Sequence, residues 1–247
     1  MKQCLNPSYA RFSSFVEQLP DRFAHEGRVI YKERNEIRVF EEESDLPINA
    51  KRYKVPIWIN RLIYTFFRKS KAQRAYEYAF ELERRGFSTA APIAYLLFYR
   101  GGLLHESYFI SKQLNARPIY TWIQLSIVEA EPYYRALGRY VGQLHQAGIY
   151  HADLSPGNIL FEWIDGQARF YLIDINRMRF GKVSFRQGCA NFARIWGNKQ
   201  SFIWMAESYA EQTGADPAKS IRLILQERSR FWKRYVRRHG APFQLDL

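Results

Sequence analysis

His151-Ala152-Asp153-Leu154-Ser155-Pro156-Gly157-Asn158-Ile159-Leu160, followed by Leu172-Ile173-Asp174, is the stretch on which the rest of the chain turns. Phosphoryl transfer from ATP needs a carboxylate beside the attacking hydroxyl and further oxygen ligands that hold magnesium against the phosphates. A loop with an Asp and, five residues on, an Asn, then a separate Asp beyond another strand, supplies them. Asp153, Asn158 and Asp174 fall in that order with the first spacing met. Asp153 and Asn158 alone also suit a simple turn, because Pro156-Gly157 makes one. Asp174 changes that weighting. It closes the apolar run Phe170-Tyr171-Leu172-Ile173, where a carboxylate needs a partner, and magnesium is a suitable one. The three residues predict a phosphotransferase site, with Asp153 as base and Asn158 and Asp174 as metal ligands.

His151 lies two residues before Asp153 and is expected to prop the loop by hydrogen bonding rather than to act as a base. With His145 it makes no zinc-like ligand pattern. Lys51 follows Ile48-Asn49-Ala50 at the end of a predicted strand, where a lysine can pair with nucleotide phosphates and with a helix glutamate. Glu77, midway along the next helix, is the expected partner. The alternative is an exposed cation on a basic strand end, with Lys54 competing.

The elements around these residues read as strands first and helices afterwards, an α+β pattern. Val29–Tyr31 and Ile37–Glu42 flank the polar turn Lys32–Glu36, and strands over 47–53, 93–99 and 107–114 follow, the last two separated by Gly101-Gly102. One main helix is predicted over 70–85, closed by Gly86. Beyond Asn115 a helix over 131–148, a hairpin around Asp165-Gly166, and helices over 189–197, 200–212 and 217–238 are expected. Asp216-Pro217 supplies N-cap and first turn to the last. This gives five antiparallel strands with one main helix over 1–115, read as a nucleotide-binding lobe, and a mostly helical catalytic lobe over 116–247.

Composition excludes other classes. With 47% apolar and 17% aromatic residues among 247, the chain has material for a core, so extensive disorder is not expected. Its apolar runs fall far short of the roughly 20 residues a membrane span needs. The first residues lack an apolar leader core, and two cysteines form no disulfide framework. A cytoplasmic setting follows as the expectation. The net charge of +13 suits an anionic partner such as nucleotide phosphate, acidic lipid or glycan, or simply keeps an aromatic-rich protein soluble. Nucleic acid is not expected, because no nucleic-acid motif accompanies the basic set Arg228, Arg230, Lys233, Arg234, Arg237 and Arg238, which reads as a solvated helix face. The mixed stretch Trp58–Lys71 reads either as an anionic-membrane surface or as a helix packing its aromatics inward.

His-Ala-Asp-Leu-x-x-x-Asn-Ile-Leu and then Leu-Ile-Asp-Ile-Asn-Arg-Met-Arg-Phe (172–180) closely resemble the lipopolysaccharide core kinases of the Kdo kinase/WaaP/InaA group, within the protein-kinase-like fold. Tyr31…Arg34-Asn35-Glu36-Ile37, Ala50-Lys51-Arg52-Tyr53, the run Ser70–Tyr78, Gly86…Pro92-Ile93-Ala94 and Ser107–Ile110 extend the likeness from about Gly27 to Ile195. The resemblance implies a bilobal protein-kinase-like fold and Mg-ATP-dependent transfer to a hydroxyl of an inner-core sugar, Kdo or heptose. The acceptor would be lipid-linked and anionic, at the cytoplasmic face of the inner membrane. It implies Lys51 at the phosphates, Glu77 as its ion pair, Asp153 as base, and Asn158 and Asp174 on the metal.

The chain departs from the wider kinase pattern in several places. No Gly-x-Gly-x-x-Gly separates the first strands, so Gly27 and the Lys32–Glu36 turn are expected over the phosphates instead. Ile175-Asn176 stand where Phe-Gly would follow the metal Asp. No Ala-Pro-Glu motif follows. Ala152 replaces the Arg that reads a phosphorylated activation loop, which argues for a small, constitutively open site. Arg177 and Arg179 would sit near the acceptor, since Arg recognises carboxylate and phosphate bidentately. Aminoglycoside- or choline-type phosphotransferases share the His-x-Asp…Asn pattern and stay open, as do an atypical Ser/Thr protein kinase and a silent binding module. The acceptor sugar, its hydroxyl and the oligomeric state are not legible here.

Overall fold

The computed structural model of the chain describes residues 1–42, 46–243, 245 and 246. Its contacts divide it into two units, Met1–Asn115 and Ala116–Leu247. In the first, β1 (Lys2–Leu5) leads through a 3-10 turn to α1 (Ser13–Arg22), then β2 (Arg28–Lys32), β3 (Asn35–Phe40) and β4 (Ile48–Tyr53). Helices α2 (Trp58–Phe66) and α3 (Lys71–Arg84), the short β5 (Ser88–Thr89), and the long hairpin β6 (Pro92–Arg100) and β7 (Leu103–Lys112) complete it.

These strands build a six-stranded antiparallel sheet in the order β1-β6-β7-β4-β3-β2. The class is the expected α+β, but five strands and one helix understate it. The added strand, Lys-Gln-Cys-Leu, has no alternation of its own and becomes a strand only by pairing with β6, Lys2 against Leu97 and Leu5 against Ala94. α1 carries Pro20 inside it and follows a 3-10 turn, so its periodicity is masked. β7 begins at Leu103 rather than 107, because Gly101 and Gly102 (φ 58 and 74) turn the chain tightly enough for Arg100 to pair with Leu103 at once.

Side-chain alternation makes two cores from one sheet. Ile48 and Ala50 of β4, with Phe40, Leu96 and Ile110, pack against Phe15, Val16 and Leu19 of α1. Tyr53, Tyr95, Leu97 and Leu104 pack against Ala72 and Tyr76 of α3. Covered on both faces, β6 is buried from Pro92 to Leu97, which is why it reads as a continuous apolar run rather than an alternating one. Ser70 caps α3 by accepting from the Gln73 N–H.

The second unit contains β8 (Arg117–Pro118), α4 (Ile127–Gln146), β9 (Ile149–Tyr150), β10 (Ile159–Ile164), β11 (Gln167–Leu172), β12 (Arg179–Phe180), α5 (Phe185–Asn191), α6 (Lys199–Thr213) and α7 (Pro217–His239). α4 starts four residues before its expected position, because Ser126 and Glu129 close a capping box that the apolar periodicity does not reveal. β10 and β11 form the expected hairpin, with Asp165 and Gly166 both at positive φ (50 and 75) as a type I′ turn demands. The helix expected over 189–197 lies earlier, capped by Ser184 and Gln187, and Phe192–Arg194 is a 3-10 turn. α6 and α7 stand as expected, the latter with Asp216 accepting from the Lys219 N–H.

Two surface expectations fail. Arg228 does not belong to a solvated face: it is only 2% exposed, pairs with Asp246, donates to Gly197 O, and lies over the Phe202 ring. Nor does the helix beginning at Trp58 pack all its aromatics inward: Tyr64 lies partly buried against the Tyr53–Tyr76 core, while Trp58 and Phe66 are each 67% exposed.

Candidate active site

The loop between β9 and β10 is built from the inside by a histidine. His151 is 1% exposed, and its two ring nitrogens are used oppositely. Nε2 donates to Ile173 O at 3.1 Å, and Nδ1 accepts from the Asp153 N–H at 3.1 Å. Both bonds require the neutral ring with hydrogen on Nε2. Burial pushes the His151 pKa down, and so keeps it neutral. The imidazole therefore ties the backbone at Asp153 to the end of β11, as a prop does.

A polar chain stands behind it. Asn191 on α5 donates through Nδ2 to His151 O at 3.0 Å and accepts at Oδ1 from His145 Nε2 at 3.1 Å. His145 Nδ1 in turn accepts from the Tyr209 hydroxyl at 3.1 Å. Burial holds the His145 pKa down at about 4.

The loop then turns through Pro156-Gly157, with the Asn158 N–H on Ser155 O, and the Asn158 side chain closes it. Asn158 Nδ2 donates to Asp153 O at 2.9 Å, while Asn158 O accepts from the Ile173 N–H at 3.0 Å. The amide nitrogen is thereby committed inward, and the amide oxygen is the end left to serve as a ligand. Asp174, directly after Ile173, has φ 53 and ψ 40, one of two non-glycine residues at positive φ among those described. Such a backbone costs on the order of 1–2 kcal/mol, less for Asp than for most residues. Its Oδ1 accepts from Asn176 Nδ2 at 2.7 Å. One amide oxygen and one carboxylate are hard oxygen donors of the kind magnesium takes, so the donor set fits that ion. No group of three or more His, Cys, Asp or Glu side chains able to hold a metal occurs among the described residues.

Two arginines converge on the Asp153 carboxylate. Arg177 Nη1 stands 3.6 Å from Oδ2, and Arg194 Nη1 donates to Oδ1. Arg194 is new relative to the sequence: it lies 41 residues beyond Asp153 and no spacing marks it. Its guanidinium also lies over the Phe231 ring of α7, 5.6 Å from the centroid. Arg179 does not join them; it pairs across to Tyr150 in the small β9–β12 ladder and is exposed.

In the first unit, Lys51 sits on β4 on the same face as Tyr53, the face covered by α3, with its ammonium 5.2 Å from the Tyr53 ring centroid. Glu77 on α3 accepts from Lys69 Nζ at 2.7 Å and from Gln73 Nε2 at 3.0 Å. The β2–β3 hairpin pairs Lys32 with Glu36 and turns through Glu33, Arg34 and Asn35, a tighter turn than expected, without glycine. Gly27 precedes it at φ 77, where a Cβ would come 2.9 Å from the Phe40 ring. A cavity of about 390 Å³ in the second unit is lined by Trp122, Tyr134, Asn198, Ser201 and Asp246 among others, and includes none of the loop residues above.

Residues 32–212 match the family model described as the lipopolysaccharide kinase (Kdo/WaaP) family. The chain belongs to that family. A 3-deoxy-D-manno-octulosonic acid kinase of Vibrio cholerae is 28% identical over 156 residues, covering 60% of this chain and 63% of that protein. One from Pasteurella multocida is 27% identical over 135 residues, covering 51% and 54%. The chain thus aligns with less than two thirds of the length of either relative. Among solved structures, WaaP in complex with acyl carrier protein superposes with a TM-score of 0.66 at 15% identity, over 95% of this chain and all of that one. The ADP-bound aminoglycoside phosphotransferase APH(2'')-Ib gives 0.54 at 12% identity, over 94% and 92%. The fold is protein-kinase-like, and all four motif segments carrying Lys51, Glu77, Asp153–Asn158 and Asp174 fall inside the family match.

Proposed function

We propose that the protein transfers the γ-phosphoryl group of ATP to a hydroxyl of an inner-core lipopolysaccharide sugar, Kdo or heptose. The observation that carries this reading is the left-handed Asp174 beside an Asn158 amide whose nitrogen is tied to Asp153 O. A strained backbone at a carboxylate, next to a loop asparagine with its oxygen free to ligate, is what a metal–phosphate site needs. Family membership supports the choice of acceptor class.

In this reading Asp153 accepts the acceptor hydroxyl's proton at a carboxylate oxygen and orients that hydroxyl toward the phosphorus. Asn158 and Asp174 hold Mg2+, which supplies charge neutralisation to the phosphate oxygens. Lys51 contacts the nucleotide phosphates, and Glu77 steadies it as an ion-pair partner. Arg177, already beside Asp153, serves an anionic acceptor, a role Arg179 does not share from its place opposite Tyr150. His151 keeps Asp153 aimed and takes no proton itself.

The test is incubation of purified protein with Mg-ATP and, separately, a lipid A–Kdo acceptor, a heptose-extended acceptor, an aminoglycoside and a generic protein substrate, read by mass spectrometry. A gain of one phosphate on a lipid-linked sugar, abolished by Asp153→Asn, is expected. Phosphate on the aminoglycoside or the protein instead, or none on any acceptor, would overturn the assignment.

A further inference from the structure

α2 carries most of its apolar side chains outward. Arg61 and Thr65 face the body of the first unit, where Tyr64 also packs against the Tyr53–Tyr76 core. Arg61 donates through Nε to Leu104 O (2.9 Å) and through Nη2 to Arg100 O (3.2 Å). Thr65 Oγ1 accepts from the Leu104 N–H at 2.9 Å and donates to Arg61 O at 2.6 Å. At about 100° per residue, Ile59, Ile63, Phe66 and Phe67 fall on the opposite half of the helix, while Trp58 stands at its start on the side of Arg61. They are in solvent, with Trp58 and Phe66 each 67% exposed and Phe67 85%. Water is a poor medium for a contiguous aromatic and aliphatic face of this kind, so a partner for it is implied.

The electrostatics say which partner. From Lys51 to Tyr76 the sequence has eight Lys and Arg and not one Asp or Glu. Arg61 spends its charge on backbone carbonyls rather than on a carboxylate. Arg74, beneath the Tyr64 ring, is buried with Nε and Nη1 lacking hydrogen-bond partners among the described residues. Arg52 and Lys69 are paired with Glu36 and Glu77, but Lys54 and Arg68 stand exposed at the two ends of the helix. Exposed cations flanking an apolar, tryptophan-bearing face match an anionic bilayer, whose headgroups take the cations while the acyl boundary takes the rings. No described helix is long and apolar enough to cross a membrane, so the contact would be one of lying on the surface.

We propose that α2 with its flanks is a membrane-docking surface, seating Trp58, Ile59, Ile63, Phe66 and Phe67 at the acyl boundary of an anionic bilayer with Lys54 and Arg68 at headgroup phosphates. The proposal does not depend on which acceptor the protein phosphorylates. A second copy of the chain is disfavoured as the occupant, because stacking two such faces would bring the exposed Lys54 and Arg68 of both copies together.

The full chain is sedimented with vesicles of phosphatidylglycerol and phosphatidylethanolamine, and with vesicles of phosphatidylcholine alone. Binding to the anionic vesicles at least about tenfold tighter than to the neutral ones is expected. Phe66→Ser with Phe67→Ser should lower it by about tenfold or more, and Arg68→Glu by several-fold. These exposed positions should leave the circular dichroism spectrum and vesicle-free ATP turnover unchanged. Equal binding to both vesicle types, or anionic binding untouched by the Phe pair, would overturn the proposal. So would a concentration-dependent dimer that the Phe pair abolishes. Vesicle binding without ATP turnover would defeat the kinase reading and leave this one standing.

Discussion

Asp174 offers a perturbation in which backbone and side chain give opposite readouts. Its left-handed backbone (φ 53, ψ 40) costs an ordinary L-residue about 1–2 kcal/mol, and glycine essentially nothing. Glycine in turn loses about 0.4–1 kcal/mol relative to alanine through the freedom of its unfolded chain. Asp174→Gly and Asp174→Ala both discard the 2.7 Å bond from Asn176, so that loss cancels between them. The Gly variant is therefore expected to be the more stable by about 0.5–1 kcal/mol, the difference between those terms. For a chain of this size that is a higher midpoint by about 1–4 °C. Differential scanning calorimetry on the two variants reads the backbone term, and Mg-dependent phosphotransfer reads the other. Both variants should be inactive, Gly as completely as Ala. If Ala matched or exceeded Gly in stability, the left-handed conformation would be wrong. If Gly kept turnover, the carboxylate would not be a metal ligand.

Arg194→Ala removes the guanidinium that holds Asp153 Oδ1. A lost charge-assisted hydrogen bond predicts a fall in kcat/KM of about 10- to 100-fold. Stability should change by less than about 1 kcal/mol, since the pair is partly solvated. Gly138→Ala would put a Cβ 2.4 Å from Met205 O, a backbone atom of α6 that no rotamer change can move. The two helices must part, at about 3 kcal/mol, and the melting midpoint should drop by roughly 6–12 °C. The buried histidines set an acid limit. His145 has its folded pKa depressed to about 4 against 6.5 when unfolded, so between those values the unfolded chain binds more protons. Its contribution is fully present above about pH 6.5 and lost as pH falls toward 4, by up to about 3 kcal/mol. Urea midpoints measured from pH 7 to 4.5 should fall accordingly, with a shallower slope in His145→Gln.

What could be read from sequence follows the range of the interactions involved. The hairpin at Asp165-Gly166, the Ser70 and Asp216 caps and the turn within the His151–Asn158 loop are encoded within a few residues, and local chemistry suffices to see them. β1 is different, because Lys-Gln-Cys-Leu has no strand character until β6 lies alongside it. Arg228 reads as one of a row of solvated cations, and only the return of the chain to Asp246 buries it. For α2 periodicity alone points the wrong way, since an apolar stripe ordinarily faces a core. Here backbone carbonyls at Arg100 and Leu104 hold Arg61 and turn the stripe outward. Arg194 and Asn191 were invisible for the same reason: they meet the loop from about 40 residues away.

The same long-range contacts bear on how the site would be controlled. From Tyr209 on α6 through His145 on α4, Asn191 on α5 and His151, an unbroken line of hydrogen bonds ends at Ile173 O, beside Asp174. Each nitrogen in it has a defined donor or acceptor role, and both rings must be neutral for all the bonds to form together. Because its members are buried, the line is strong where water is excluded and insensitive to surface charge. Where a regulated protein kinase has an arginine beside its catalytic Asp to receive a loop phosphate, this chain has Ala152. On the proposed function, the catalytic loop is thus held by neutral contacts present at all times, and added phosphate finds no cation at that position to reorganise around. Arg177 and Arg194 both pair with the Asp153 carboxylate. An anionic acceptor entering there would compete with Asp153 for them, releasing the base as it binds. Control would then rest with the acceptor and with where the protein docks, rather than with modification of the loop.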